Sequence, residues 1–354
     1  MNVAIVGGGV AGLTAAYRLT KQQHSVSLFE STDRLGGLVH SERIDNYLIE
    51  HGAEGFVERG SPVPELCEEL GLRIMPQQSH RSLLLRNGAF EAISRGTAAQ
   101  ILGIQLHNPN RSVELVTIAS GMGSLIVALA KQLDGRCDVH LSTHVQKIVK
   151  NRTGIALTTD NETLNYDLIF VTLPPGAAAR LLRNLVQKEA ATLESVPATS
   201  STVVSLAFPR DTVGHKLEES GFVVAEEDRT VSGFIAGSFT SSKYLRRAPE
   251  GTVLIRVFFR PQTDVQHSDE DWVSLSYRSL EGPLQLGARE TRSWVDRYDR
   301  AIPQLNPELV ERLSQVQQSL AERGVFLAGG GYQSTGVSAA VASAIDAVNR
   351  ATAT

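Results

Sequence analysis

Glycines near the start of the chain have the spacing of a phosphate-binding turn. Gly7, Gly9 and Gly12 follow the apolar run 2–6, and an acidic residue, Glu30, lies 23 residues after Gly7. Gly7 allows a tight turn, Gly9 lets a pyrophosphate approach the backbone, and Gly12 lets a helix pack closely on a strand. The helix N-terminus attracts anions, and a carboxylate at Glu30 can accept hydrogen bonds from ribose hydroxyls. The predicted pyrophosphate loop consists of Gly7, Gly8, Gly9, Val10, Ala11 and Gly12.

The segments around these residues predict a parallel sheet with helices between its strands. Residues 2–6 lack polar alternation, which is typical of a strand buried on both faces. Residues 13–22 have helical spacing of apolar side chains, and a second apolar strand follows over 26–29. Near the other end, an apolar strand in 324–332 runs into glycines, and a helix of small residues follows over 338–348. A second helix N-terminus therefore reaches the same ligand, and the dinucleotide domain is predicted to be discontinuous.

Composition excludes several classes of protein. The chain has 354 residues, of which 42% are hydrophobic, and this length predicts about two domains. A net charge of -4 gives no electrostatic footprint for nucleic acid. The two cysteines, Cys67 and Cys137, are isolated in the sequence, which excludes a disulfide framework and a cysteine-based metal site. No metal site is predicted.

The sequence after Glu30 distinguishes between kinds of dinucleotide. A nicotinamide-binding domain would normally continue into a second crossover helix here. Instead a second glycine pair follows, in Arg34-Leu35-Gly36-Gly37, and then the stretch Glu50-His51-Gly52-Ala53-Glu54-Gly55. Glycines at these positions allow the backbone to approach a cofactor closely. This order is typical of flavoproteins, and the alternative is two ordinary loops.

These segments together resemble the flavin-dependent amine-oxidase superfamily, and within it the protoporphyrinogen/coproporphyrinogen oxidases of haem biosynthesis. Further matching segments occur in the family's order, at 47–56, 64–72, 86–88, 121–126, 248–257 and 297–304. The resemblance implies an α/β fold, with a discontinuous Rossmann-like FAD-binding domain and a smaller α+β substrate domain containing an antiparallel sheet. The expected FAD-binding domain combines residues 1–75, 117–180 and 295–354. The expected substrate domain combines residues 76–116 and 181–294.

The resemblance also implies which residues contact FAD. Glu30 would bind the ribose, and Val145 would pair with the adenine edge. No cysteine occurs in the C-terminal motif where monoamine-type oxidases attach flavin, so the FAD is expected to be noncovalent. The remaining implied contacts, beyond the pyrophosphate loop, are Arg34, Gly36, Gly37, Leu38, Gly52, Ala53, Glu54, Gly55, Thr335, Gly336 and Val337.

The implied reaction removes hydrogen from the methylene bridges of a porphyrinogen, either protoporphyrinogen IX or coproporphyrinogen III, with hydride transfer to the flavin and dioxygen as acceptor. Because the cofactor carries this chemistry, no catalytic side chain is predicted. The substrate's propionates need cations, and Arg59 is the main candidate, with a solvated loop arginine as the alternative. Arg256 is a weaker candidate because alternation along a strand can point its side chain to water. Lys243 is expected to be a solvated surface lysine.

The middle of the chain is short compared with the family's pattern. A long helical insertion of the porphyrinogen oxidases corresponds here to the 32 residues 89–120. Ala98, Ile101, Leu102 and Leu106 predict one short helix within them. No basic amphipathic helix is evident, which favours at most weak peripheral contact with a membrane.

Other functions on the same fold stay open at this point. They are an FAD-dependent amine or other small-molecule oxidase, and a flavin-binding relative without catalysis. The expected partner is a small-molecule porphyrinogen, and no nucleic acid. A second copy of the chain and another protein of the haem pathway stay open as protein partners. The expected location is the cytoplasm, with peripheral membrane contact at most.

Overall fold

The computed structural model describes residues 1–94, 96–102, 115–152, 154–229, 233–260 and 267–353. These residues form ten α-helices and twenty strands. The helices are α1 (Val10–Lys21), α2 (Val63–Glu69), α3 (Thr97–Ile101), α4 (Gly123–Leu133), α5 (Pro175–Leu182), α6 (Gln187–Glu194), α7 (Thr240–Lys243), α8 (Asp269–Leu284), α9 (Pro307–Ala321) and α10 (Val337–Thr352).

The strands are β1 (Asn2–Val6), β2 (Ser25–Phe29), β3 (Ser41–Ile44), β4 (Tyr47–Glu50), β5 (Phe56–Val57), β6 (Ile74–Pro76), β7 (Leu83–Arg86), β8 (Ala89–Ala92), β9 (Leu115–Ile118), β10 (Asp138–His140), β11 (Val145–Lys150), β12 (Ile155–Thr159), β13 (Thr163–Tyr166), β14 (Leu168–Val171), β15 (Ala198–Pro209), β16 (Gly221–Val224), β17 (Phe234–Ser238), β18 (Thr252–Phe259), β19 (Arg292–Pro303) and β20 (Val325–Leu327).

The first sheet is parallel throughout and joins the two ends of the chain. Its order is β10-β2-β1-β14-β20, so β1 at its centre is separated by one strand from β20 near the C-terminus. The apolar side chains of β1 are buried because helices cover both faces, with α1, α4 and α10 on one face and α5, α6 and α9 on the other. The predicted strands and helices at both chain ends are confirmed. Helix α1 begins at Val10, before the predicted residue 13, because the glycine turn leads directly into it.

The second sheet has seven strands in the order β19-β15-β18-β17-β16-β7-β8. Its pairs are antiparallel except for β16 with β7. The strands predicted at 202–208 and 252–259 are confirmed as β15 and β18. One face of this sheet packs on α8, and the other face packs on β4 through Tyr47 and Ile49. β4 therefore lies against this sheet, and Glu50 at its end accepts a hydrogen bond from Met122 at the start of α4.

The expected domain boundary at residue 295 falls inside a strand. β19 pairs continuously with β15, from Arg292 opposite Ala207 to Pro303 opposite Ala198, with one irregularity. Residues 295–303 therefore belong to the seven-stranded sheet, whereas the expectation grouped them with the FAD-binding segment 295–354. The sequence did not indicate this, because the alternation in β19 is too irregular to identify its partner.

The helix predicted in the middle of the chain is confirmed as α3. Ala98, Ile101 and Leu102 pack against buried side chains of β7, β16 and β17. Leu106, the fourth residue of that prediction, lies outside the described residues. No helix in the described ranges is long and apolar enough to cross a membrane.

A buried ion pair joins β4 to the loop before β18. Arg247 Nη1 lies 3.1 Å from Glu50 Oε1, and both side chains are fully buried. Glu50 also accepts hydrogen bonds from the Ser41 hydroxyl and from the N–H of Met122 at 2.9 Å, while Arg247 donates to Thr117 at 2.8 Å. Burial raises the pKa of Glu50, and the Arg247 guanidinium opposes that rise. The pair and its hydrogen bonds link three regions that are distant in the sequence, 41–50, 117–122 and Arg247.

We predict that Arg247→Met destabilises the protein by about 3–5 kcal/mol, because it leaves the Glu50 carboxyl buried without its cation. The measurement is urea-induced unfolding at neutral pH. Arg183→Met is the matched control, since Arg183 forms an exposed pair with Glu194, and its cost should stay below about 1 kcal/mol. Equal losses in the two variants would contradict the prediction.

Candidate functional site

The three glycines of the turn after β1 have different surroundings. Gly7 has φ +111°, a backbone conformation that favours glycine, and it forms the turn itself. A Cβ on Gly12 would lie 1.9 Å from the carbonyl oxygen of Gly7, so only glycine fits there. Gly9 has an ordinary φ of -71°, and a Cβ there would meet nothing within 4 Å. Gly9 therefore borders open space, as expected where a ligand approaches the backbone.

Helix α1 begins beside that space without a side-chain cap. Its N-cap residue is Gly9, which has no side chain to accept a hydrogen bond from the first turn. The first backbone bond within the helix runs from Leu13 N–H to Gly9 O at 3.0 Å. The N–H groups of the first turn, including those of Val10 and Ala11, are thus available to an anion.

The second predicted helix N-terminus lies close to the first. α10 also starts without a side-chain cap, after Gly336 at φ +91°. A Cβ on Gly329 would lie 3.8 Å from the Cβ of Ala11, so the turn after β20 touches the start of α1. The Ser338 hydroxyl donates to the Val57 carbonyl at 3.2 Å. The structure thus brings residues 335–337 near both the glycine turn and the segment that includes residues 52–57.

Glu30 lies directly against the glycine turn. Its Oε2 accepts a hydrogen bond from the N–H of Gly8 at 2.7 Å. Its Oε1 accepts from both the N–H and the hydroxyl of Thr32 at 2.8 Å. Thr143 donates its N–H to the Glu30 carbonyl at 2.8 Å, which places the start of β11, with Val145, near the same acid. Sequence reasoning missed Thr32, although a threonine two residues after the acid is a usable signal.

The second glycine pair completes this side of the site. Gly36 donates its N–H to the Gly8 carbonyl at 2.8 Å, and a Cβ on Gly37 would lie 3.5 Å from the Cα of Gly9. Arg34 donates to the Gly37 carbonyl at 3.0 Å, which holds the loop closed. Leu38 is 49% exposed. The predicted residues 34–38 are therefore assembled around Gly9, as a dinucleotide-binding loop requires.

The loop after β4 packs tightly against the same segment. A Cβ on Gly52 would lie 1.8 Å from the Leu38 carbonyl oxygen, so this close approach depends on glycine. Gly55 is similarly confined, because a Cβ there would lie 2.7 Å from the Tyr244 hydroxyl. The predicted flavin-proximal residues 52–55 are thus enclosed between the glycine loops and the second sheet. We call the contact of residues 50–55 with Ser238, Thr240, Lys243, Arg247 and Arg256 the junction.

Glu54, predicted as a cofactor contact, directs its carboxylate to the second sheet. Ser238 and Thr240 donate their hydroxyls to it at 3.0 and 2.9 Å. Lys243 Nζ lies 3.0 Å from Glu54 Oε2, and the lysine side chain is only 13% exposed. The expectation that Lys243 is a solvated surface residue was therefore wrong. Helix α7 carries the lysine into the junction, and no local pattern in the sequence indicates that placement.

The charges of the junction control the ionisation of Glu54. Burial alone would raise the pKa of this carboxyl. The Lys243 ammonium and the Arg256 guanidinium, helped by hydrogen bonds from Lys243 and Thr240, outweigh burial and lower the pKa to about 2. Glu54 is therefore a permanent anion at physiological pH.

Arg256, a weaker candidate because alternation could point its side chain to water, is also buried. It is 1% exposed, and its Nη2 donates to the Gly52 carbonyl at 2.8 Å. The side chains of β18 alternate between two faces as predicted. The face that carries Arg256 is covered by residues 50–55 and does not contact solvent. Arg59, in contrast, lies on the exposed turn after β5. The structure brings Arg256 to the junction and leaves Arg59 at the surface beyond it.

A histidine that sequence reasoning passed over connects β4 to the edge strand β19. His51 Nδ1 lies 2.9 Å from Asp296 Oδ1, and His51 stacks on His40 with ring centroids 4.5 Å apart. The hydrogen bond with Asp296 raises the pKa of His51, although burial works against the rise. Trp294, on the same strand, packs on Tyr47 with ring centroids 5.6 Å apart. These contacts hold β19 against the flavin-proximal segment.

Two family models match the chain. Residues 5–70 match the NAD(P)-binding Rossmann-like domain, and residues 87–352 match the flavin containing amine oxidoreductase model. The first match covers the glycine turn and Glu30. The second covers most of the remaining chain, including the junction side of the second sheet.

Similar proteins align with nearly the whole chain. A Bacillus subtilis protein named coproporphyrinogen III oxidase is 23% identical over 449 residues, with 95% of this chain and 94% of that protein covered. A Mycobacterium leprae protein of the same name is 25% identical, with 97% and 96% covered. A solved Exiguobacterium structure, assigned provisionally as a protoporphyrinogen oxidase, has a TM-score of 0.84 at 21% identity and 98% coverage of both chains. The 449 aligned positions exceed the 354 residues here, so part of the relative has no counterpart.

We predict that Gly9→Ala and Gly12→Ala fail in different ways. The Cβ of Gly9→Ala enters open space, so stability should change by less than about 1 kcal/mol while flavin affinity falls at least tenfold. The Cβ of Gly12→Ala collides with the Gly7 carbonyl, which should cost about 1–3 kcal/mol or more. Thermal unfolding of the apoprotein and flavin titration separate the two effects. Normal flavin affinity in Gly9→Ala would count against a ligand at the turn.

We also predict that Glu54→Gln weakens the fold in a pH-dependent way. Because the folded-state pKa lies below the ordinary 4.5, the carboxylate stabilises the protein above pH 4.5 and loses that effect as the pH falls towards 2. The variant should be about 3 kcal/mol less stable at pH 7, with the difference shrinking below pH 4.5. Urea unfolding across this pH range measures it. Glu194→Gln, in an exposed pair, is the control, and a Glu54→Gln difference that does not vary with pH would disprove the coupling.

Proposed function

The chain belongs to the flavin containing amine oxidoreductase family, and from this premise we propose that it is an oxidase which binds FAD noncovalently. The observation that carries this proposal is the uncapped N-terminus of α1, which faces open space beside Gly9 and is enclosed by the second glycine pair. Such a site suits a pyrophosphate, because backbone N–H groups and the helix dipole both favour an anion there. The absence of cysteine from residues 324–348 supports a noncovalent cofactor.

The assembled residues suggest how each part of FAD would be held. The pyrophosphate would lie on residues 7–12, and Glu30 would accept hydrogen bonds from the ribose. Val145 would lie at the adenine edge. The ring would lie near residues 52–55 and 335–337. Residues 34–38 would cover the middle of the cofactor.

When bound, the flavin would supply the redox chemistry by accepting a hydride from a substrate carbon and passing the electrons to dioxygen. The chain's own residues would position the substrate and exclude water. The junction supports this role, because its ion pairs close the space between the sheets behind residues 52–55. No side chain of the junction is required as a nucleophile.

We propose a porphyrinogen as the substrate. Relatives that cover nearly all of this chain are named coproporphyrinogen III oxidase, and the alignment runs through both sheets. The propionates of such a substrate need cations, and Arg59 is suited to this task because it lies exposed beyond the flavin-proximal segment. The short segment 89–120 would leave this substrate less enclosed than in the family's longer members.

The architecture supports a division into two domains with one changed boundary. We assign residues 1–75, 117–180 and 304–354 to the FAD-binding domain, and residues 76–116 and 181–303 to the substrate domain. The substrate site would lie where they meet, as is common for ligand sites between domains. We also propose that the protein acts in the cytoplasm, with membrane contact that is at most peripheral.

Anaerobic flavin reduction tests this proposal directly. The holoprotein is mixed with coproporphyrinogen III or protoporphyrinogen IX, and flavin absorption is followed in the 450 nm region. We expect bleaching with a porphyrinogen and reoxidation when dioxygen is admitted. Putrescine is the comparison substrate for the amine-oxidase alternative, and Gly9→Ala is the cofactor-deficient control. Bleaching with putrescine alone, or with none of the three, would overturn the porphyrinogen assignment.

A further inference from the structure

Arg256 occupies the middle of the sheet face that meets residues 50–55. It lies on β18 opposite Ser205 of β15 and opposite Ser238 of β17. Directly opposed residues on neighbouring strands project to the same face, so these three side chains form one row. Arg256 is 1% exposed, and Ser205 is fully buried. The row therefore forms a polar strip beneath the flavin-proximal loop.

The Arg256 guanidinium has more donors than acceptors around it. Its Nη2 donates to the Gly52 carbonyl at 2.8 Å. Its Nε and Nη1 are buried without a hydrogen-bond partner among the described residues, and so is the Ser205 hydroxyl. The Phe258 ring, 5.2 Å from the guanidinium carbon, offers only a weak cation–π contact. Buried polar atoms without partners destabilise a fold, and native structures rarely contain them.

Of the three cations in the junction, Lys243 and Arg247 are paired with carboxylates, whereas Arg256 forms no ion pair among the described residues. Lys243 is paired with Glu54 at 3.0 Å, and Arg247 is paired with Glu50 at 3.1 Å. Glu54 is close enough to Arg256 for its pKa to be lowered, but its oxygens are bonded to Ser238, Thr240 and Lys243. Arg256 is left as a buried cation whose only described hydrogen-bond acceptor is a neutral carbonyl. A buried charge in this state is costly unless a bound partner supplies the opposite charge.

We propose that Arg256 binds a negative charge that a ligand brings to the junction. This inference rests on the proposed function for the identity of the ligand. Two ligands at the junction would carry such a negative charge. One is the flavin ring, which gains one negative charge when it accepts a hydride, since a hydride carries two electrons and one proton. The other is a carboxylate of the substrate.

The first arm of the test measures the two-electron midpoint potential of the bound flavin. Arg256→Gln is the main variant, because its amide can still donate to the Gly52 carbonyl, and Arg256→Met is a second neutral variant in case the first does not fold. If the ring is the source, each neutral variant disfavours the reduced flavin at least tenfold, which lowers the potential by about 30 mV. Arg256→Lys keeps the positive charge, so its midpoint potential stays close to that of the unaltered protein.

The second arm measures binding of a carboxylate ligand that cannot be oxidised by the flavin. Coproporphyrin III and its tetramethyl ester are titrated into the oxidised holoprotein, and porphyrin fluorescence is followed. If a substrate carboxylate is the source, the neutral variants bind coproporphyrin III at least tenfold more weakly and bind the ester unchanged. Arg292→Met is the charge control in both arms, because Arg292 is 58% exposed and pairs with Asp45 at the surface.

A lowered midpoint potential in the neutral variants supports the role of Arg256 and identifies the flavin ring as the source. A weakened affinity for coproporphyrin III supports it and identifies the substrate carboxylate. Folded neutral variants with unchanged potential and unchanged porphyrin affinity overturn it. The outcome is separable from that of the proposed function. Porphyrinogens that bleach the flavin while both readouts stay unchanged would refute only the role of Arg256. A shifted potential without bleaching would refute only the substrate.

Discussion

Two carboxylates on one short segment, Glu50 and Glu54, join that segment to the chain around the seven-stranded sheet. Glu50 pairs with Arg247 and Glu54 with Lys243, and both cations come from the chain around the second sheet. The flavin-proximal glycines lie between or just after these acids. The position of these glycines relative to the glycine turn after β1 therefore depends on ion pairs with residues around the seven-stranded sheet. The ion pairs act together with the close contact of Gly52 with Leu38 and the bond from Arg256 to the Gly52 carbonyl.

Buried charge is an expensive way to join two segments, because desolvation offsets much of the attraction between the ions. The advantage of such ion pairs is that their hydrogen bonds require a defined geometry. An apolar contact tolerates sliding, whereas Glu54 accepts from two hydroxyls and one ammonium, which fixes where the loop lies. Backbone contacts add to this constraint, since Gly52 approaches the Leu38 carbonyl too closely for any side chain. The excess cation at Arg256 remains within that frame, next to the Gly52 carbonyl.

Local patterns in the sequence predicted the parts that depend on neighbours in the chain. The strand at 2–6, the glycine turn and α1 follow from a run of apolar residues and from the steric needs of Gly7 and Gly12. The strands β15 and β18 follow from alternation. Burial of Lys243 and Arg256 could not be predicted in this way, because alternation identifies two faces without saying what covers each. The pairing of β19 could not be predicted for the same reason, since its partner β15 lies about ninety residues earlier.

The sequence by itself determined that residues 7–12 form a glycine turn leading into a helix, and that a strand, a glycine turn and a second helix follow near the other end. Glycine spacing and apolar runs are local, so they carry that information without the fold. Only the tertiary structure decided which charges become buried. Glu54 lies about two hundred residues before Lys243 and Arg256 in the chain, and it interacts with them only after β17, β18 and α7 have packed over the loop that follows β4. Electrostatic coupling depends on distance and burial in space, and neither is written in the spacing of residues along the chain.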